Sequence, residues 1–180
     1  MMIDRMKLIQ VCRNEDVYIL AYGSNLNLGR MESRCPQCSV EGTTEIPGYR
    51  LLFKQSKTGA YATIEQDANY SVPGVIYRIS YDSEQMLDRC EGYPRYYYKR
   101  EFFLPVRDLN GMKRRKRFSC LAYIMHENRD LGEPSADYYG IIDRAYEDWG
   151  FDASILRKAL SDSIGTKAAA RWLWSYEKGK

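Results

Sequence analysis

The carboxylate of Glu91 stands at a position in the sequence that suits proton transfer. It ends a predicted helix and precedes Gly92, Tyr93 and Pro94. A carboxylate at a helix C-terminus faces the negative end of the helix dipole, which costs the ionised form about 0.3–1 kcal/mol. Burial among the aromatic neighbours would disfavour the ionised form further, and a general base working near neutral pH needs such an environment. The alternative is a solvent-facing glutamate, which most glutamates are.

A short loop with one glycine is the second candidate for chemistry. It follows an apolar run and reads Tyr22-Gly23-Ser24-Asn25-Leu26. Glycine adopts dihedral angles that other residues avoid, and Ser and Asn side chains bind turn amides, so a tight turn is one interpretation. The other is a nest of backbone N–H groups that binds an anion, such as a substrate carboxylate. The loop lacks the G-x-G-x-x-G and Gly-Lys-Ser/Thr patterns of nucleotide-binding loops.

Three further features indicate chemistry less strongly. Cys35-Pro36-Gln37-Cys38 is half of a zinc site or a redox pair, but no second pair follows and the only histidine, His126, is distant in sequence. The basic run Lys113-Arg114-Arg115-Lys116-Arg117 could bind nucleic acid, although a solvated hairpin arm without interleaved aromatic residues is the favoured interpretation. Ser24 would need a base, and His126 alone does not complete a triad.

The elements that must position these residues are strands with one inserted helix, followed by helices. Strands are predicted at residues 17–22, 49–53, 60–65 and 72–80, and a hairpin of 96–106 and 117–125 around Asn110-Gly111. Helices are predicted near Asn27, at 82–90 with Asp82 or Ser83 as cap, at 136–149 up to Gly150, and at 152–163. Because no run of β-α-β units is visible, we expect a mixed or barrel-like sheet with flanking helices.

Two details of this pattern are open from the sequence. The polar residues 66–69 are expected to separate two strands. Residues 167–180 have no clear pattern, although Trp172 and Trp174 indicate that part of this segment packs against the protein.

Length and composition place the chain in a broad class. It has 180 residues, 44% hydrophobic and 28% charged, which predicts one globular domain with a real core. The net charge of +3 does not by itself imply a nucleic-acid partner. Five irregularly spaced cysteines argue against a secreted disulfide framework, and no segment resembles a signal peptide or a membrane helix. We therefore expect a cytoplasmic protein with no membrane partner.

The loop and the glutamate together resemble the γ-glutamylcyclotransferase-like family, which includes AIG2-like and butirosin-pathway members. The resemblance runs from about Tyr18 to Gly150. The matching segments come in the family's order: Tyr22-Gly23-Ser24-Asn25-Leu26, Ala62-Thr63-Ile64, Gly74-Val75-Ile76-Tyr77, Leu87-Asp88-Arg89-Cys90-Glu91-Gly92 and Pro134-Ser135-Ala136-Asp137-Tyr138.

The resemblance implies an α+β fold, namely a small closed mixed β-barrel with helices packed around it. It assigns Glu91 as the catalytic residue and makes the loop residues substrate-binding. Tyr98 lies seven residues after Glu91, where a mammalian relative has a pocket tyrosine, and Tyr138 belongs to the late segment. Both are therefore expected to bind substrate.

The implied reaction is cyclisation of a γ-glutamyl amino acid or γ-glutamyl amine to 5-oxoproline, with release of the free amine and without metal or cofactor. The alternative is a non-catalytic small-molecule-binding or regulatory module of the same fold. The small-molecule substrate is the expected partner, and the resemblance leaves a homodimer open. We expect the domain to occupy residues 17–165, between an N-terminal extension at 1–16 and a C-terminal tail at 166–180.

Overall fold

A computed structural model of the protein describes residues 16–109 and 113–180. Its centre is a closed barrel of five strands, joined in the order β1-β3-β2-β4-β5. The strands are β1 (Val17–Ala21), β2 (Ser39–Gln55), β3 (Ala60–Ile79), β4 (Tyr97–Arg107) and β5 (Lys113–Met125). The α+β class and the mixed β-barrel with flanking helices are confirmed.

The barrel closes through its shortest strand. β1 pairs antiparallel with β3, for example Ile19 with Tyr77, and its other edge runs parallel to β5, where Ile19 faces Leu121. All other pairings are antiparallel, so the barrel is mixed. Ile19 itself is 1% exposed, because both neighbours and the barrel interior cover it. The loop that follows β1 is thereby fixed at one end of the barrel.

The long hairpin of β2 and β3 corrects one expectation. Residues 66–69 do not interrupt a strand, because β3 continues from Ala60 to Ile79. The register shifts between Pro47 and Tyr49 of β2, and this irregularity accommodates the polar stretch opposite it. Side chains of residues 65–71 are exposed or half-buried, while the apolar residues on either side enter the core. Polarity there marks solvent exposure and not the end of the strand.

The described residues form five α-helices. They are α1 (Leu28–Arg34), α2 (Tyr81–Glu91), α3 (Ala136–Trp149), α4 (Ala153–Ile164) and α5 (Thr166–Lys178). The helix predicted near Asn27 is α1, and Asn27 caps it, since its side chain accepts a hydrogen bond from the Arg30 amide. Ser80 caps α2, in place of the predicted Asp82 or Ser83. Gly92 ends α2 with φ +66°, the left-handed conformation that favours glycine.

The three C-terminal helices are connected by short turns and pack partly through aromatic side chains. The centre of the Trp172 ring lies 4.8 Å from the ring centre of Tyr139 on α3 and 5.4 Å from the ring centre of Tyr176. Trp174 instead is 62% exposed. One of the two tail tryptophans is therefore a packing residue and the other a surface residue. No helix in the described parts of the chain is long and apolar enough to cross a lipid bilayer.

Candidate active site

Glu91 is the last residue of α2, as the sequence predicts, and its side chain is largely enclosed. The side chain of Glu91 is 15% exposed. The amide nitrogen Nδ2 of Asn25 donates a hydrogen bond to its Oε1 at 3.0 Å, and Nη1 of Arg34 donates to the same oxygen at 2.8 Å. The structure thus brings the predicted glutamate and the predicted loop into direct contact.

Arg34 connects the two halves of this arrangement. Its Nη1 also donates to Oδ1 of Asn25 at 2.7 Å, so one nitrogen contacts both the loop side chain and the carboxylate. The guanidinium is 18% exposed, which makes the ion pair with Glu91 a partly buried one. Arg34 is not among the residues predicted from the sequence, although it belongs to the helix that begins soon after the loop.

The loop itself is a short 3-10 helix spanning Ser24–Leu26. The Leu26 amide donates to the Gly23 carbonyl at 2.9 Å, whereas the amides of Ser24 and Asn25 have no acceptor among the residues the structure describes. Gly23 has φ −117°, so left-handed geometry is not the reason for glycine here. A Cβ on Gly23 would lie 3.1 Å from Cβ of Ala62, so close packing against β3 is the reason.

Leu26 fixes the loop to the core of the protein. Its side chain is fully buried, and its carbonyl accepts hydrogen bonds from Nε1 of Trp149 at 2.8 Å and from the Tyr77 hydroxyl at 3.4 Å. Leu26 therefore holds the loop in place from the core side.

Two tyrosine hydroxyls line the cavity and bond to the same residue of β3, Ala62, against which Gly23 of the loop packs. The Tyr97 hydroxyl donates to the Ala62 carbonyl at 3.2 Å, and the Ala62 amide donates to the Tyr138 oxygen at 3.2 Å. Burial is the main reason that the pKa values of Tyr97 and Tyr138 are raised. Both hydroxyls therefore keep their protons at neutral pH and can donate or accept hydrogen bonds.

Tyr22 lies deeper than these two residues. Its hydroxyl donates a short hydrogen bond to the Tyr123 carbonyl on β5. Burial, followed by the charge of Glu91, raises the pKa of Tyr22 well above its ordinary value. Tyr22 thus connects the end of β1 to β5 beneath the loop.

Tyr98 lies on the other face of β4 from Tyr97. Its hydroxyl donates to Oε1 of Glu127 at 2.5 Å, and its ring lies 5.5 Å from that of His126. Successive side chains of a strand point to opposite faces, so an alignment displaced by one residue exchanges an inward tyrosine for an outward one. Tyr97 lines the cavity beside Glu91, and Tyr98 is not among the residues that line it.

The cavity beside Glu91 has a narrow inner part and a wider outer part. The inner recess measures about 40 Å³ and the outer part about 330 Å³. Both parts share Ser24, Glu91, Tyr97 and Tyr138. The inner recess is also lined by residues of the loop and of β1, including Tyr22, Gly23 and Asn25. The outer part is bordered by α1, the end of α2 and the turn between β2 and β3.

The cysteine pair does not form a recognisable metal site. Cys35 is fully buried with its Sγ against the Ser83 carbonyl, and burial raises its pKa to about 12. Cys38 is half-buried. No group of three or more His, Cys, Asp or Glu side chains within residues 16–109 and 113–180 has a metal-binding arrangement.

The other two weaker candidates lie away from the cavity. His126 contacts the Pro94 carbonyl through Nε2 at 2.8 Å and has no hydrogen bond to Ser24. The basic run Lys113-Arg114-Arg115-Lys116-Arg117 begins β5, and the predicted turn Asn110-Gly111 falls outside the described residues. β4 and β5 pair antiparallel as predicted. The Arg117 guanidinium lies 5.8 Å from the ring centre of Phe103, so an aromatic neighbour is present there after all.

The chain is similar in sequence and in fold to known proteins. A family model described as "Gamma-glutamyl cyclotransferase, AIG2-like" matches residues 19–149. A human protein named Gamma-glutamylcyclotransferase is 28% identical over 135 residues, which cover 71% of this chain and 69% of the human protein. A solved structure of a Gamma-glutamyl cyclotransferase is similar with a TM-score of 0.67 and 27% identity, over 81% of this chain and 86% of that chain.

A more distant structure shares the fold alone. It is a yeast γ-glutamyl cyclotransferase specific to glutathione, with a TM-score of 0.57 and 12% identity, over 82% of this chain and 95% of that chain.

Proposed function

The chain belongs to the γ-glutamyl cyclotransferase, AIG2-like, family of enzymes, and we propose that it cyclises the γ-glutamyl group of an amide to 5-oxoproline with release of the free amine. The observation that carries the proposal is the enclosed contact of Glu91 with Asn25 and Arg34, across a cavity from two tyrosine hydroxyls. A carboxylate that is held in one orientation beside unpaired loop amides is suited to an intramolecular acyl transfer.

The reaction needs a folded substrate and proton transfer from the attacking nitrogen to the leaving one. The α-ammonium first loses a proton to Glu91, and the resulting amine attacks its own γ-carbonyl carbon to form the ring C–N bond. The new ring nitrogen loses a second proton as the C–N bond to the leaving amine breaks. Glu91 returns one proton to the leaving nitrogen, and the amine takes up the other to depart as an ammonium, so no proton is gained or lost overall. Positioned acid–base groups contribute about 10²–10⁴-fold to such steps.

In this proposal the loop binds the negatively charged groups of the substrate. The Ser24 and Asn25 amides, which have no acceptor in the described structure, are available to the α-carboxylate or to the oxyanion that develops at the γ-carbonyl. Tyr22, Gly23 and Leu26 act as substrate-binding residues indirectly, because they fix where these amides lie. Holding amine and carbonyl together in this way supplies several kcal/mol, roughly, as an orientation effect.

In this proposal two tyrosines form walls of the site. Tyr97 presents a neutral hydroxyl at the Ala62 carbonyl and Tyr138 presents one at the Ala62 amide, where they orient the substrate and exclude water. Excluding water favours cyclisation over hydrolysis. We propose Tyr97 for the role that the family resemblance gives to Tyr98.

The test measures 5-oxoproline released from a panel of γ-glutamyl amino acids by the purified protein, by Glu91→Gln and by Glu133→Gln. Glu133 is an exposed glutamate between β5 and α3 and serves as the matched control. We expect turnover by the wild type and the control, and a loss of about 10²–10⁴-fold in Glu91→Gln. Release at the wild-type rate by Glu91→Gln would refute the assignment. Binding without release by the wild type would identify a non-catalytic module instead.

Assembly and location are further proposals. A homodimer and a cytoplasmic location stay predictions, and light scattering of the purified protein measures the first.

A further inference from the structure

The outer part of the cavity carries an excess of positive charge. Its lining includes four cationic side chains against the single carboxylate of Glu91. Arg34 is the ion-pair partner of that carboxylate. The three that remain are Arg30 on α1, Lys57 in the turn between β2 and β3, and Arg89 on α2. None of the three has an ion-pair partner in the described parts of the chain.

The side chain of Arg30 is incompletely satisfied. Its Nε is buried and has no hydrogen-bond partner in the structure. Native proteins leave few buried polar groups unpaired, because each one costs free energy that a partner would recover. An anion in the outer cavity would supply an acceptor to this guanidinium.

The charge excess belongs to this cavity and does not extend to its neighbour. An adjoining open depression contains Arg95 and Arg129, but it also contains Glu127 and Asp130. Cations and acids are therefore balanced there, whereas beside Glu91 they are not.

The position of the three cations separates them from the reacting end of the substrate. Arg30, Lys57 and Arg89 line the outer part and are absent from the lining of the inner recess, where the loop lies. If the γ-glutamyl unit occupies the recess beside Gly23 and Asn25, the cations face the amine that leaves. This step rests on the proposed function, since it assumes which end of the substrate meets the loop.

We propose that Arg30, Lys57 and Arg89 form an anion subsite that selects substrates whose leaving amine bears extra negative charge, such as a γ-glutamyl conjugate of an acidic amino acid. A neutral amino acid brings one carboxylate to this subsite, and an acidic one brings two. Several unpaired cations around one cavity raise the local concentration of anionic ligands, and they increase the affinity for a ligand that carries a second negative charge. Lys57 and Arg89 are exposed at the mouth, so solvent screening moderates their effect.

The first experiment compares γ-glutamyl-glutamate with γ-glutamyl-glutamine, which differ in charge and hardly in size. We expect kcat/KM to be at least about tenfold higher for the glutamate conjugate, the size of one good charged hydrogen bond. The ratio of the two kcat/KM values should fall severalfold in Lys57→Gln and in Arg89→Gln. It should stay at its wild-type value in Lys167→Gln and Arg171→Gln, which change exposed residues of α5. A ratio near one in the wild type would overturn the subsite.

A binding measurement keeps this inference separate from the proposed function. Calorimetry with the same two conjugates on Glu91→Gln, in which turnover is expected to be lost, gives their Kd values without the heat of reaction. Tighter binding of the glutamate conjugate, weakened by high salt, supports the subsite even if no 5-oxoproline forms. Equal Kd values overturn it, even if both conjugates are cyclised. A third conjugate, γ-glutamyl-O-phosphoserine, tells whether a carboxylate or a phosphate is the preferred anion. Tighter binding of either anionic conjugate than of the glutamine conjugate supports the subsite.

Discussion

Nδ2 of Asn25 donates a hydrogen bond to Oε1 of Glu91 at 3.0 Å, although the two residues are 66 positions apart in the chain. This contact joins the end of the first strand to the end of α2. It turns two local features, a loop and a helix terminus, into one site.

Arg34 should act as a positioning residue for Glu91. We expect Arg34→Gln to lower kcat by about tenfold or more, because the carboxylate loses the charged group that fixes its orientation and small misplacements of a reacting group are costly. Arg34→Lys should recover part of the loss, since lysine restores the charge but not the shape of the guanidinium. The control is Arg144→Gln, at an exposed position of α3. Equal kcat in Arg34→Gln and the control would contradict the prediction.

Adjacent tyrosines of β4 should differ sharply in function. Tyr97→Phe removes a hydroxyl that bonds the Ala62 carbonyl and lines the cavity, so we expect kcat/KM to fall about tenfold. Tyr98→Phe removes a hydroxyl that bonds Glu127 on the other face of the strand, and kcat/KM should stay within about twofold of the wild type. Steady-state kinetics on the two variants measure both effects. A larger fall of kcat/KM in Tyr98→Phe than in Tyr97→Phe would contradict the prediction and would indicate that Tyr98 belongs to the site.

Gly23 should tolerate no side chain. In Gly23→Val, the new Cβ lies about 3.1 Å from Ala62 and pushes the loop away from β3, so we expect lower substrate affinity and a lower Tm. Gly29→Ala is the matched control, because its Cβ meets nothing closer than 3.7 Å in an exposed turn of α1. Alanine should leave activity intact there and stabilise the helix by about 0.5–1 kcal/mol. Thermal unfolding and calorimetric titration measure both effects.

The cysteines should differ widely in reactivity. Burial raises the pKa values of Cys35 and Cys120 to about 12, so at pH 8 only about one thiol in 10⁴ would be ionised at either position. Because the thiolate is the reactive form, raising the pH toward 12 increases their ionised fraction and lowering it has the opposite effect. Cys90 is exposed and lines the outer cavity.

Iodoacetamide labelling followed by peptide mass mapping tests this difference in the folded protein. We expect Cys90 to react at least a hundredfold faster than Cys35, and a bound γ-glutamyl ligand to protect it. Rapid modification of Cys35 at pH 8 would count against its burial and would reopen a redox role for the Cys35–Cys38 pair.

Local rules account for the parts of the site that could be predicted. A glycine C-cap and a proline indicate that α2 ends at Glu91, and a short apolar strand that ends in a turn sequence indicates the loop. Both signals lie within a few residues of the functional group. The family resemblance then supplied the connection between the two segments.

The remainder depends on contacts that no local pattern encodes. Whether Tyr97 or Tyr98 faces inward is a question of strand register, which a run of three tyrosines leaves open. Arg34 matters only because α1 lies near the end of α2, and the barrel closes through a single parallel pairing of Ile19 with Leu121. The polar residues 66–69 suggested a break because their side chains meet water, while their backbone continues β3.

The hydrogen bond from Tyr22 to the Tyr123 carbonyl also bears on the order of events during synthesis. The loop leaves the ribosome before β5 and α3, yet its support comes from β5, and Tyr138 on α3 completes the cavity beside it. A nascent chain that stops before α3 has the loop and Glu91 but not the enclosure that they share. Catalytic competence is therefore acquired late, and fragments released by premature termination should be inert.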